Sequence, residues 1–252
     1  MMDNQDLFTG PSKFYHDFRP RYPDSVIQVL QDKIHFTKEW EVADVGAGTG
    51  ILSELFVQNG NHVFCVEPNI AMIKKAKENR FIAGKVNFVC GTGEFTNLPE
   101  ASVDIVACGQ SFHWINPDAA KDEFSRILRG EKWVLLMWND RRNLPMTFTG
   151  EYERIVKKYS ANYHSTGSTV VKQEIFRSFF TGSYEMIQLP NSQLLDLHAV
   201  IGRYMSASYA IKKEDPVFGD LVREFSEAFG KFEHNGYVSM EYVTTIYLGK
   251  IQ

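Results

Sequence analysis

The sequence predicts an α/β fold: a mostly parallel sheet of seven strands with helices on both faces, plus a mainly helical insertion. Three observations carry this. Short apolar runs alternate with amphipathic ones through the first half of the chain. The runs are apolar on both faces, as strands buried in a covered parallel sheet must be. The alternation stops near residue 140, where longer amphipathic stretches take over until a closing run rich in β-branched and aromatic residues.

In order, EVADVG (41–46) reads as a buried strand. ILSELFVQNG (51–60) places Leu52, Leu55 and Phe56 at helical spacing and ends on Gly60. HVFCVE (62–67) is a second strand, IAMIKKAKEN (70–79) a helix, KVNFVCG (85–91) and SVDIVACG (102–109) two more strands. PDAAKDEFSRIL (117–128) opens on proline, which suits a first helical turn, and lines up Phe124, Ile127 and Leu128. EKWVLLMWN (131–139) is the fifth strand. Beyond it, 147–163, 170–180, 194–210 and 216–232 read as helices, YEMIQL (184–189) as a strand, and 237–251 as a strand with a possible hairpin partner.

Composition narrows the function. The 252 residues carry 27 basic and 31 acidic side chains, net −4, with no basic block, so nucleic acid and anionic membranes are disfavoured partners. No stretch reaches the ~18 apolar residues of a membrane helix, and the acidic, polar start does not read as a secretory signal. Cys65, Cys90 and Cys108 form no CxxC pair, which suggests reduced thiols and a cytoplasmic location. The histidines show no ligand spacing, so no metal is expected.

VADVGAGTG (42–50) raises the central question, because a glycine-rich turn between strand and helix often cradles phosphate. Dinucleotide loops want a third glycine five places after the first, and Ile51 stands there. A P-loop fails as well: Gly84-Lys85 is followed by Val86. The turn has no Lys or Arg to neutralise phosphate. Glu67, 21 residues after Gly46 at the end of the second strand, can accept hydrogen bonds from both ribose hydroxyls. Together these indicate a nucleoside without a pyrophosphate.

VADVGAGTG followed by VEPN resembles the class I S-adenosylmethionine-dependent methyltransferases. VCGTGEFTNLPEASVDIVACGQSFHWI is similar to the third-to-fourth strand region of their small-molecule type. FYHDFRPRYPDSVIQVL is similar to the entry segment of the trans-aconitate methyltransferase and type 11 group. The resemblance covers about residues 12–140 and implies a Rossmann-like domain over 1–252. Its parts would be an N-terminal lid and helix (1–35), a cofactor-binding core (41–139), a helical insertion and substrate cap (140–235) and a closing strand (236–252). It implies S-adenosyl-L-methionine as cofactor. Gly46, Ala47 and Gly48 would meet its methionine part, Glu67 the ribose, Pro68 the adenine face, and Thr92 and Gly93 the adenine edge. The family often has Asp where Thr92 stands, which weakens the expected contact to the adenine amine. Gln110 would lie beside the transferred methyl, and Tyr15 and Arg19 would close over the cofactor.

The expected reaction is in-line methyl transfer to a small-molecule acceptor, carboxylic acids among the candidates. Alignment and water exclusion would do most of the work, and Tyr15, Tyr22 and Trp114 suit a sulfonium cation. His113, within Phe112-His113-Trp114, is a candidate general base for an acceptor that needs deprotonation, against a structural reading as part of an aromatic wall; Tyr22 is a second catalytic candidate. FYHDFRPRYP reads as a lid, Arg19 pairing with the cofactor carboxylate, against the alternative of an apolar anchor. Two other readings are a nicotinamide oxidoreductase and a non-catalytic cofactor-binding protein. The sequence leaves the oligomeric state open.

Overall fold

The computed structural model describes residues 18–161, 163, 171 and 173–252. These group into two compact units. The sheet unit holds 21–139, 171, 173–189 and 244–252; the helical unit holds 18–20, 140–161, 163 and 190–243.

The elements run α1 (Ser25–Ile34), β1 (Glu41–Val45), α2 (Ile51–Asn59), β2 (His62–Val66), α3 (Ile70–Lys77), β3 (Val86–Val89) and β4 (Val103–Gly109). A short 3-10 turn (Phe112–Trp114), α4 (Pro117–Ile127) and β5 (Leu128–Arg141) follow. Then come α5 (Phe148–Tyr159), α6 (Gln173–Phe179), β6 (Tyr184–Leu195), α7 (Leu197–Met205), α8 (Phe218–Phe232) and β7 (Val238–Lys250). The strand order is β3-β2-β1-β4-β5-β7-β6. β1 is parallel to β2 and β4, β2 to β3, and β4 to β5. Chain order reverses between β1 and β4, and an open α/β sheet takes its ligand at the carboxyl ends beside that switch point.

Both faces of the sheet are covered, and the period-2 alternation of a strand sorts residues between them. Ala43, Val45, Val106, Cys108, Leu136 and Trp138 join one apolar cluster with Phe124 of α4 and Phe176 and Phe179 of α6. Val42, Ile105, Ala107, Leu135 and Met137 join the other with Val26 and Leu30 of α1 and Leu55 and Phe56 of α2. Each fully buried Leu, Val or Phe contributes about 1.5–3 kcal/mol.

Three features differ from expectation. β5 begins at Leu128, because three extra residues bulge between the Val103–Leu128 and Ile105–Trp133 partners, with Gly130 and Lys132 at positive φ. β6 runs on to Leu195 through Pro190. It is an edge strand, where a proline's missing N–H costs no ladder bond. The stretch 140–235 is not one inserted body either: α6 and 184–189 go with the sheet unit, since Phe176, Phe179 and Phe180 bury into its core.

The helical unit packs α5, α7 and α8 around Tyr152, Ile155, Val200, Tyr204, Leu221 and Phe225, with Met240 and Tyr242 of β7. Thr147 caps α5 through the Gly150 N–H, and Asp196 caps α7 through the Ala199 N–H. No helix among the described residues is long and apolar enough to cross a membrane.

Candidate active site

The glycine loop joins β1 to α2 at the switch point. Gly46, Gly48 and Gly50 all have positive φ, a region costly for residues with a Cβ. A Cβ on Gly46 would fall 2.4 Å from Ser111 Cβ, and one on Gly50 2.2 Å from Ile82 Cδ1, whereas one on Gly48 would meet nothing within 4 Å. The loop is therefore tight at both ends and open in the middle. Gly46 and Ala47 both donate N–H groups to the Val66 carbonyl, at 2.9 and 3.1 Å.

Glu67 completes this frame. Its Oε2 accepts from Gly48 N–H and its Oε1 from Asn69 N–H, both at 2.9 Å. Burial raises its pKa, while those two bonds oppose the rise. Each carboxylate oxygen keeps a second lone pair, enough for a pair of vicinal hydroxyls. Pro68 is half-buried beside it, and Asn69 caps α3 by accepting from Ala71 and Met72 N–H.

Asp44 is a second buried acid, which the sequence reading passed over as one more strand residue. Its Oδ2 accepts the Ser53 hydroxyl at 2.6 Å, and its Oδ1 is buried with no hydrogen-bond partner. Burial pushes its pKa up to about 7, with Glu67 adding to the rise. Thr49 Oγ1, in the loop itself, is likewise buried without a partner. Residues 41–67 contain no Lys or Arg. The loop is thus bracketed by acids, a setting that favours a cation and disfavours phosphate.

The opposite wall comes from the end of β4. Ser111 Oγ donates to the Val45 carbonyl at 2.7 Å, which fixes this loop against β1. Gln110 holds a left-handed φ of 59°. Its N–H donates to the Met137 carbonyl at 2.9 Å and its Nε2 to the Asn139 carbonyl at 3.3 Å. A non-glycine residue held there by two bonds marks a conformation the surroundings impose. Tyr22 is buried, and a Cβ on Gly109 would lie 2.7 Å from its hydroxyl. Arg21 pairs with the buried Glu54 and lies 5.0 Å from the Phe81 ring centroid.

On the 3-10 turn, His113 Nδ1 accepts from Trp138 Nε1 at 3.5 Å. Burial pushes its pKa down to about 4. At neutral pH the ring is therefore uncharged with its proton on Nε2, a donor and a weak base. Trp114 is exposed. Thr92 closes a turn, its Oγ1 accepting from Phe95 N–H at 3.1 Å, and Gly93 is pressed against Ile115, 2.6 Å from a would-be Cβ. Of the remaining site residues, Arg19 belongs to the helical unit, where Nη2 donates to the Ser206 carbonyl at 2.7 Å. Tyr15, with residues 14–17 of the expected lid segment 14–23, lies outside the described residues.

A parallel sheet with a glycine loop tied to a buried carboxylate at its switch point, and no Lys or Arg within residues 41–67, has the architecture of a nucleoside-binding α/β domain. Residues 43–136 match the family described as methyltransferase domain. An uncharacterized methyltransferase of Schizosaccharomyces pombe is 24% identical over 246 residues, 92% of each chain. One from Mycobacterium tuberculosis H37Rv is 34% identical over 127 residues, 50% of this chain and 49% of that protein. Among solved structures, a putative type II methyltransferase from Anaeromyxobacter dehalogenans shares the fold. Its TM-score is 0.68 and its identity 20%, over 92% of this chain and 98% of that one. The methyltransferase domain at 43–136 and these relatives support a class I S-adenosylmethionine-dependent methyltransferase with S-adenosyl-L-methionine as cofactor. The residues present fit that cofactor: Gly48 leaves room for it, Glu67 faces the loop, and Asp44 Oδ1 and Thr49 Oγ1 await partners.

Proposed function

We propose that the acceptor is a small molecule and that carboxylic acids are its preferred class. The observation that carries this is His113. A base whose pKa is held near 4 removes protons poorly from a hydroxyl or an acidic carbon, whereas a carboxylate is already a nucleophile at neutral pH. The His113 Nε2–H is instead suited to hold an acceptor oxygen by donating to it.

Bound S-adenosyl-L-methionine supplies an electrophilic sulfonium methyl. The protein's part is to bind and orient. Gly46, Ala47 and Gly48 give backbone room for the methionine part, and Glu67 accepts the ribose hydroxyls. Pro68 covers the adenine, with Thr92 and Gly93 at its edge; Thr92 Oγ1 keeps one lone pair for the adenine amine after accepting Phe95 N–H. Gln110, held by Met137 and Asn139, lines the transfer region, and Tyr22 backs it through Gly109. Asp44 and Glu67 favour the cationic sulfonium over the neutral product, which helps binding more than the chemical step, since positive charge on sulfur is already falling in the transition state.

The test is S-adenosylhomocysteine release with panels of carboxylic acids, phenols and amines. Release with acids, at a rate flat from about pH 5.5 to 8, supports the reading. Release confined to phenols or amines overturns it.

A further inference from the structure

The helical unit buries positive charge in excess. Arg141 is satisfied: Nε donates to Glu153 Oε2 at 2.9 Å, and Nη1 and Nη2 donate to the Tyr209 and Tyr163 hydroxyls at 3.0 Å. Arg203 is not. It is only 4% exposed, yet its partners are neutral, with Nε donating to the Tyr242 hydroxyl at 3.2 Å and Nη1 to Ser206 Oγ at 3.4 Å. Among the described residues Nη2 has no hydrogen bond, and no carboxylate pairs with this guanidinium. Of these two buried guanidiniums, only Arg141 pairs with a carboxylate among the described residues, Glu153.

The surroundings hold a further unmet polar group. The Tyr152 hydroxyl is buried with no hydrogen-bond partner, and it lies within electrostatic reach of Arg141, Arg203, Tyr209 and Tyr242. Burial raises the pKa of the Tyr209 phenol, but Arg141, Arg203 and Arg19 outweigh that and leave it lowered, a sign of positive potential at this point. Tyr242, which accepts from Arg203, also lines a cleft of about 470 Å³ with Arg142, Asn191, Ser192, Ser239 and Glu241. Tyr242 is shared by this cleft and the cluster, whereas Arg203, Tyr152 and Tyr209 do not line the cleft. An uncompensated buried charge is expensive, and an unpaired buried phenol adds to the cost; one anion relieves both.

We propose that this cluster is a binding site for one carboxylate group of a small organic acid, taken by Arg203 Nη2 with the Tyr152 and Tyr209 hydroxyls. The ligand is either the methyl acceptor or a non-substrate effector. The site deepens the acceptor reading above and rests on it only for turnover.

The experiment compares malonate, succinate and benzoate with malonamide, succinamide and benzamide in thermal melts at constant ionic strength. The expected result is a Tm rise of about 5 °C or more with at least one acid at a hundredfold excess over its Kd, and none with its amide. Arg203→Gln weakens that acid at least tenfold. Tyr152→Phe keeps the ring packing and weakens it about threefold to tenfold, so the test stands even if the Arg203 variant fails to fold. Equal shifts from acids and amides, no shift from any acid, or unchanged affinity in folded variants overturns the site. S-adenosylhomocysteine release with a bound acid identifies it as acceptor, and binding without release identifies an effector; both support the site. Failure to bind S-adenosylmethionine would sink the acceptor reading and leave the carboxylate site standing.

Discussion

The two units bury charge of opposite sign. In the sheet unit, Asp44 and Glu67 lie buried on either side of a glycine loop with no basic residue between them. In the helical unit, Arg141 and Arg203 lie buried among tyrosines, and Glu153 pairs with Arg141 alone of the two. Burial penalises every one of these charges, so each cluster persists through what answers it. Glu67 is answered by backbone N–H groups, Asp44 by a raised pKa, and Arg141 by a carboxylate and two phenols. The lesson is that the sheet unit is prepared for a ligand carrying positive charge and the helical unit for one carrying negative charge.

The largest expected effect tests the helical side. Arg141→Met leaves Glu153 buried without its main partner and should lower stability by about 3–5 kcal/mol, read as a fall in the urea midpoint. A loss under about 1 kcal/mol would mean that water reaches Glu153 and the cluster is not dry.

Asp44 supplies the contrast through pH. Its carboxyl titrates at about 7 when folded and near 3.9 when unfolded, so the folded state holds the proton more tightly. The stability it confers is complete below about pH 4 and is lost as pH rises through 7, on the order of 4 kcal/mol at most. Asp44→Asn should remove this fall. The check is the difference between wild-type and variant unfolding free energies from pH 4 to 8; a flat difference would contradict the burial argument.

Gly46 and Gly48 break the loop apart. Gly46→Ala meets both a positive φ and Ser111, and should cost about 3 kcal/mol in stability, with cofactor affinity falling too. Gly48→Ala meets only the backbone cost, about 1–2 kcal/mol. Equal losses in calorimetry and melting would show that the space at Gly48 is not open. Glu67→Ala should weaken S-adenosylhomocysteine by about 1.5–3 kcal/mol, the range for hydrogen bonds to a charged group.

The same contrast explains what the sequence could reveal. The cofactor loop is local: Gly46, Gly48 and Glu67 belong to one strand–turn–helix–strand unit, so spacing alone exposes it. Asp44 sat within that motif, and its inward position on β1 was the available signal. The Arg203 cluster draws on β5, α5, α7, β7 and the segment after α7, and no spacing joins Arg141, Tyr152, Arg203, Tyr209 and Tyr242 before the chain folds. The limits of β5 and β6 were hidden for a different reason. Gly130 and Pro190 read locally as turn and stop signals, yet one sits in a bulge and the other on a sheet edge, where each is tolerated.

The central claim is that the loop between Asp44 and Glu67 takes a nucleoside bearing positive charge, not a pyrophosphate. Titration calorimetry of the intact chain against S-adenosylmethionine, S-adenosylhomocysteine and reduced nicotinamide dinucleotide tests it directly. Saturable heat with the first two, and none with the dinucleotide at high micromolar concentration, is the expected result. No heat with either sulfur ligand, or tighter binding of the dinucleotide, contradicts it.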